Sequence, residues 1–291
     1  MLDVIIALLP VTVAAIVLFG FGSLLLISVS VVTAVLSEFI FNLCAKKKQT
    51  VGDLSAIVTG LLLALNVPTT TTVWQMIVGS VFAIIIVKCL FGGIGCNFAN
   101  PAITARVMML LAFSATVGGG APTAFPQIEA GATPLAILGG KEGELPSLLD
   151  MFLGVRGGAM GETCAIAIIV GFIYLVVRRV IHWQTPVVFV GTVFVLSFLL
   201  GGFDVTFALY HVLSGGLLLA AVFMATDYST TPTNSLGKMV FALGCGIITV
   251  LIRFYGGYPE GVSFAILFMN ILTPYIESWT KPRALGKRGN K

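Results

Sequence analysis

Ile166-Ala167-Ile168-Ile169-Val170-Gly171-Phe172-Ile173-Tyr174-Leu175-Val176-Val177 carries no charge, and Arg178 and Arg179 follow it at once. With its flanks the run approaches the ~20 apolar residues that cross a ~30 Å hydrocarbon core. Pro186–Leu200 and Met239–Ile252 read the same way. No water reaches that core, so the backbone must satisfy its own hydrogen bonds, and runs of this length do so as helices. Composition agrees. The 291 residues are 58% hydrophobic and 10% charged, whereas a soluble domain keeps about a quarter of its residues charged. The sequence is that of an all-α integral membrane protein.

Length and punctuation predict about ten transmembrane helices, near 4–20, 22–44, 53–66, 73–91, 99–114, 160–178, 184–202, 206–225, 237–253 and 260–277. The Met1-Leu2-Asp3 start has no basic region before the apolar run, so it reads as a retained first helix rather than a cleaved signal. Lys46, Lys47, Lys48, Arg178, Arg179, Lys238 and the basic tail (Lys281, Arg283, Lys287, Arg288, Lys291) fall on one side when ten spans alternate. By the positive-inside rule that side is cytoplasmic, with both termini. The other face is expected to hold Lys141 and Arg156, diluted by Glu129, Glu142, Glu144 and Asp150. Trp74, Trp183 and Trp279 fall at the expected interfaces, as aromatic belts require.

Two stretches resemble each other. Gly60-Leu61-Leu62-Leu63-Ala64 matches Gly216-Leu217-Leu218-Leu219-Ala220, and a Thr/Pro-rich turn follows each (Pro68–Thr72, Ser229–Thr233). Lys88 precedes Phe91-Gly92-Gly93 as Arg253 precedes Tyr255-Gly256-Gly257. Five spans per half is an odd number, so the halves would run in opposite directions, as in the inverted repeats of transporters. The expected organisation is one membrane domain: a first repeat over 1–114, an extracytoplasmic loop over 115–150, and a second repeat with a cytoplasmic tail over 151–291.

The polar loop holds Gly131-Ala132-Thr133-Pro134-Leu135. A phosphate can be esterified to such a threonine when an enzyme recognises its surroundings, and small neighbours let it approach the backbone. The Gly92-Gly93-Ile94-Gly95 turn leads to Asn100-Pro101, where Pro101 suits the first position of a helix. That corner suits either a ring held against Phe98 or part of an ion route. Ionisable residues inside spans are functional candidates by default. Glu38, Lys88, Arg106, Glu162 and Arg253 qualify, with Asp53, Asp204 and Asp227 nearer the interfaces. Glu162, Asp227 and Lys88 are the candidates for an ion path. Cys44, Cys89, Cys96, Cys164 and Cys245 form no CxxC, which suits neither an iron–sulfur cluster nor zinc. They read as small packing residues. His182 and His211 both fall near expected helix ends, which argues against paired haem ligation.

These motifs in this order resemble the RnfD/NqrB family, the flavin-bearing membrane subunits of ion-translocating oxidoreductases. The resemblance runs the whole length, through Ala7-Leu8-Leu9-Pro10, Val58–Ala64, Phe91–Gly95, Asn100-Pro101-Ala102, Gly131–Leu135, Gly161-Glu162-Thr163, Ala225-Thr226-Asp227 and Gly257–Val262 with Phe264–Leu267 and Asn270. It implies FMN on Thr133 as a phosphoester installed by a flavin transferase, with Gly131, Ala132 and Pro134 as its setting. It further implies a non-covalent riboflavin to which the sequence assigns no residues; Asn100 is a candidate cofactor-binding residue. Electrons would pass through this subunit of a ferredoxin:NAD⁺ oxidoreductase that moves Na⁺ or H⁺, in a cell-membrane complex that includes a second covalent-flavin subunit. No complete activity is expected of the chain alone. One departure stands out: the attachment motif usually has an acidic residue six before the threonine and Ser or Thr three before it, where this chain has Gln127 and Ala130. Ser114-Ala115-Thr116 is a poorer rival site. The competing expectation, from composition and repeat alone, is a flavin-free secondary transporter or channel.

Overall fold

The uncharged runs fold as helices, and their lengths sort them into two kinds. A computed structural model describes residues 1–118, 133–258 and 260–281 and shows helices with no strand among them. α1 (Leu2–Phe19), α2 (Phe21–Cys44), α3 (Ser55–Leu65) and α4 (Val73–Val81) come first, and α4 widens into a π-helical stretch, Phe82–Cys89. Then follow α5 (Pro101–Ala112), α6 (Ser114–Val117), α7 (Pro134–Leu138), α8 (Leu148–Leu153), α9 (Ala165–Val177) and α10 (Gln184–Leu200). α11 (Val205–Leu213), α12 (Leu217–Phe223), α13 (Ser235–Tyr255) and α14 (Val262–Thr280) complete the order. α1, α2 and α13 are long and apolar enough to cross a membrane, and α11 with α12 makes a fourth candidate, bent by 59°. α3, α4 with its π-helical stretch, α5, α9 and α10 are shorter than the sequence predicts, whereas α14 is not. Polar caps mark where helices begin: Asn100, for example, caps α5 by accepting from the N–H groups of Ala102 (3.0 Å) and Ile103 (3.3 Å). Asp204 caps α11 the same way, through Thr206 N–H at 2.8 Å. The expected loop over 115–150 is partly helical, since α6, α7 and the start of α8 fall in it.

Contacts fix which end each helix starts from. Arg178 at the end of α9 pairs with Asp3 at the start of α1 (3.2 Å), and Asn234 before α13 bonds Thr280 at the end of α14 (2.9 Å). One cleft brings Met1, Ser55, Lys88, Asn100 and Asp227 together at that same end. At the other end Leu110, Ser114, Thr133, Tyr258 and Phe264 share a pocket. α3 therefore runs inward from the Asn100 end and α12 runs outward to it. α4 and α13 are likewise opposed, as are α5 and α14. The bases that match in the sequence, Lys88 and Arg253, consequently lie at opposite ends. Among described residues, Lys46–Lys48, Arg178, Arg179, Lys238 and Lys281 gather at the Asn100 end.

Large apolar side chains such as Val13, Val17, Val32, Ile173, Val177 and Leu199 stay exposed on the outer helices, as a lipid-facing surface requires. Inside, small residues set the helix spacing. A Cβ on Gly171 of α9 would lie 2.5 Å from the Ala7 carbonyl oxygen of α1, whereas one on Gly191 meets nothing within 4 Å. Gly171→Ala should therefore destabilise the protein by about 1–3 kcal/mol, as overpacking does. Gly191→Ala should not; thermal unfolding of both variants in detergent checks the contrast. Cys89 and Cys245 are buried packing residues as expected, but Cys44 at the end of α2 and Cys96 in the connection before α5 are exposed and fill no core.

Candidate functional site

α5 serves as a ruler through the polar interior. At its start Asn100 approaches the Asp227 carboxylate (Nδ2–Oδ2 3.5 Å), and Ser229 and Thr230 donate to the same oxygen at 3.0 and 3.3 Å. Asn270 joins this group with its amide oriented to donate to the Thr230 carbonyl (3.2 Å) and accept from the Asn100 N–H (3.1 Å). Burial pushes the Asp227 carboxyl above its ordinary range, and the hydrogen bonds from Ser229 and Thr230 pull against it. The cleft beside these residues has a volume of about 160 Å³. Ile94 and Asn97 line it; Phe98 packs instead on Phe91, with ring centroids 4.8 Å apart.

Six residues further along α5, ~9 Å on at 1.5 Å per residue, Arg106 is buried where the broken helices meet. Its Nη1 donates to the Asn66 carbonyl at the end of α3 (2.6 Å) and to Asn66 Oδ1 (3.2 Å), and its Nη2 pairs with Glu260. Gly216, at the start of α12, borders this meeting, and the groups around it are at ordinary contact distance. A Cβ there would sit 3.4 Å from Glu162 Oε2, 3.7 Å from Asn66 Oδ1 and 4.0 Å from Arg106 Nη1. Glu162 accepts from the Ala159 N–H at 3.0 Å through Oε1, while its buried Oε2 has no partner among the described residues. Arg156, expected in an outer loop, is buried instead and donates to the Glu162 and Leu213 carbonyls (2.9 and 2.6 Å). The small residues around it (Gly154, Gly157, Gly158, Ala159) let the chain turn inward, which a reading by charge alone misses. Arg253 is held by three carbonyls: Glu260 (3.1 Å), His211 (2.5 Å) and Ser214 (3.1 Å).

The third level lies ~15 Å along α5 from Asn100, at Leu110. Here Thr133, half-buried, caps α7: its Oγ1 accepts from the Ala136 N–H at 3.3 Å, and Pro134 occupies the first helical position. The hydroxyl borders a pocket of about 170 Å³ whose walls include Tyr258 and Phe264, rings 5.3 Å apart, with Ser114, Ser263 and Glu260 as polar groups. The pair Lys88–Glu38 belongs to the Asn100 end, with Nζ 2.9 Å from both carboxylate oxygens. Asp227 and Lys88 thus line one cleft at the Asn100 end, whereas Glu162 lies apart from them, near Arg106. Gly131 and Ala132, like Gln127 and Ala130, lie outside the described residues.

Residues 1–286 match the model of the NQR2, RnfD, RnfE family. The chain belongs to this family. It is 44% identical over 289 residues (98% of the chain, 90% of the relative) to the D-type subunit of a Na⁺-translocating ferredoxin:NAD⁺ oxidoreductase complex from Acetobacterium woodii. It is 38% identical to the counterpart in a proton-translocating complex of Clostridium ljungdahlii, covering 99% and 91% of the two chains. The D-type component of an ion-translocating oxidoreductase complex from Stutzerimonas stutzeri is 36% identical, with the same coverage. For this NQR2, RnfD, RnfE member the sequence motifs fall at structural junctions. Asn100-Pro101 opens α5, Glu162 faces the break between α11 and α12, and Thr133 opens α7. Asn66, Gly216 and Glu260 carry no joint signal in the sequence because they are far apart along it and only the fold brings them to Arg106.

Proposed function

We propose that the chain is the D-type membrane subunit of an ion-translocating ferredoxin:NAD⁺ oxidoreductase and carries FMN as a phosphoester on Thr133. The observation that carries this reading is the half-buried Thr133 hydroxyl at the mouth of a pocket walled by Tyr258 and Phe264. The flavin supplies the redox chemistry. The protein supplies position, an aromatic wall and the Glu260 carboxylate beside it. The Asn100–Asp227 cleft is the natural seat for a second, non-covalent riboflavin. The basic end of the molecule then faces the cytoplasm, which puts Thr133 on the extracytoplasmic side of the cell membrane. The opposed pairs α3/α12, α4/α13 and α5/α14 support an inverted repeat, with ten crossings once shorter and bent helices are counted. Partners follow from the same reading: other membrane and peripheral subunits including a second covalent-flavin subunit, a flavin transferase for maturation, and lipid. Glu162, Asp227 and Lys88 remain the proposed ion-path residues, and relatives named for sodium and for protons are both close.

Full-length protein co-produced with a flavin transferase should weigh more than its amino acids by one esterified FMN and should run as a fluorescent band on a denaturing gel. A dark band at the bare polypeptide mass would instead favour a flavin-free transporter, which the broken helices meeting at Arg106 would also suit.

A further inference from the structure

Behind the Thr133 pocket, past Glu260 in its wall, lies a floor of buried charge that does not balance among the described residues. Arg106, Arg156 and Arg253 are buried, as is Glu162, while Glu260 is 26% exposed and borders the pocket. Three guanidinium groups therefore face two carboxylates. Arg253 and Arg156 are held by backbone carbonyls rather than by carboxylates. Carbonyls solvate a cation without cancelling its charge. The floor also touches the element that bears Thr133. A Cβ on Gly215 would meet Leu135 Cδ1 at 2.6 Å, Arg253 Nη2 at 3.4 Å and Glu260 Cγ at 3.8 Å, and Leu135 and Arg253 line one cavity, so α7 lies beside both charged residues.

Reduction of a flavin adds negative charge to its ring. Buried charges nearby act on that change with little screening by salt. A surplus of cations favours the reduced form, and a carboxylate at the pocket wall opposes it. We propose that Glu260, tied to Arg106, is a positioning residue that sets the redox potential of a flavin on Thr133 by offsetting part of this cationic floor. The proposal rests on the covalent-flavin reading. No bond forms or breaks at Glu260; only the energy of the added electron changes.

The test is a spectroelectrochemical titration of the full-length, flavin-loaded protein, alone and in detergent. Glu260→Gln removes one negative charge and leaves Arg106 without its carboxylate. It should raise the ratio of reduced to oxidised flavin at a fixed solution potential at least tenfold, which is about 59 mV for one electron. Glu260→Asp keeps the charge and should stay near wild type, as should Arg178→Gln at the far end. An unchanged or lower ratio in Glu260→Gln overturns the proposal. Should that variant fail to accumulate, the double variant Arg106→Gln/Glu260→Gln decides, because it removes one charge of each sign. A ratio within threefold of wild type supports the proposal, and a tenfold shift overturns it. If wild-type protein takes up no flavin at all, the covalent-flavin reading fails first, a result distinct from any of these.

Discussion

Thr133→Ala is expected to abolish the covalently bound flavin outright, with a dark gel band and the mass of the bare polypeptide, while the protein still folds. The structure separates the two consequences. Chemically, alanine has no oxygen to carry a phosphoester, so the loss is complete rather than partial. Structurally, the hydroxyl is only an N-cap on a five-residue helix, with one bond to the Ala136 N–H, and losing such a cap costs about 1 kcal/mol. Thermal unfolding of the variant in detergent should therefore stay close to that of the unloaded wild type. Thr133→Ser keeps an esterifiable oxygen and should keep some label. A band that persists in Thr133→Ala would move the attachment elsewhere, with Thr116 the first place to look. Thr116 donates to Gln75 Oε1 (3.1 Å) and to the Phe113 carbonyl (3.2 Å), so its hydroxyl is already engaged.

What the sequence revealed divides along physical lines. Membrane class and helix content follow from local composition, and these are found wherever the residues are described. Caps are local too: Asn100-Pro101 and Thr133-Pro134 announce helix starts because side-chain oxygen and ring geometry act within a few residues. The three-level interior is not local. Arg106 meets Asn66 from α3, Gly216 from α12 and Glu260 before α14. No spacing rule joins positions so distant in the chain. Arg156 shows the same limit in reverse. By charge it is a loop base, yet it is buried because the small residues beside it let the chain fold inward to carbonyls of Glu162 and Leu213. Hydropathy overstates helix lengths for a related reason: it does not register Asn66, which stands at the end of α3 with its amide donating to the Leu62 carbonyl at 2.8 Å.

Removing either half of the Lys88–Glu38 pair should destabilise the fold more than any other single change considered, by about 3–5 kcal/mol, because it strands a buried charge. Both side chains are almost wholly inaccessible, at 2% and 1% exposure. Their partners are few and fixed. Lys88 reaches Ser55 Oγ at 2.5 Å, and Thr50 donates to Glu38 at 2.5 Å, so the pair ties α2, the π-helical stretch, the start of α3 and the 45–54 connection together. The exposed Arg178–Asp3 pair makes the contrast, at 59% and 32% exposure. Arg178→Gln should cost at most about 1 kcal/mol. Thermal unfolding of Lys88→Met, Glu38→Leu and the double variant reads the difference. The double variant replaces both charges with apolar groups of similar length and should recover most of the lost stability, since no orphaned charge remains. That recovery also separates structure from transport. In a reassembled complex, a double variant that regains wild-type ion movement along with its stability confines Lys88 to a structural role. One that folds and transfers electrons but moves no ions places Lys88 and Glu38 on the ion path.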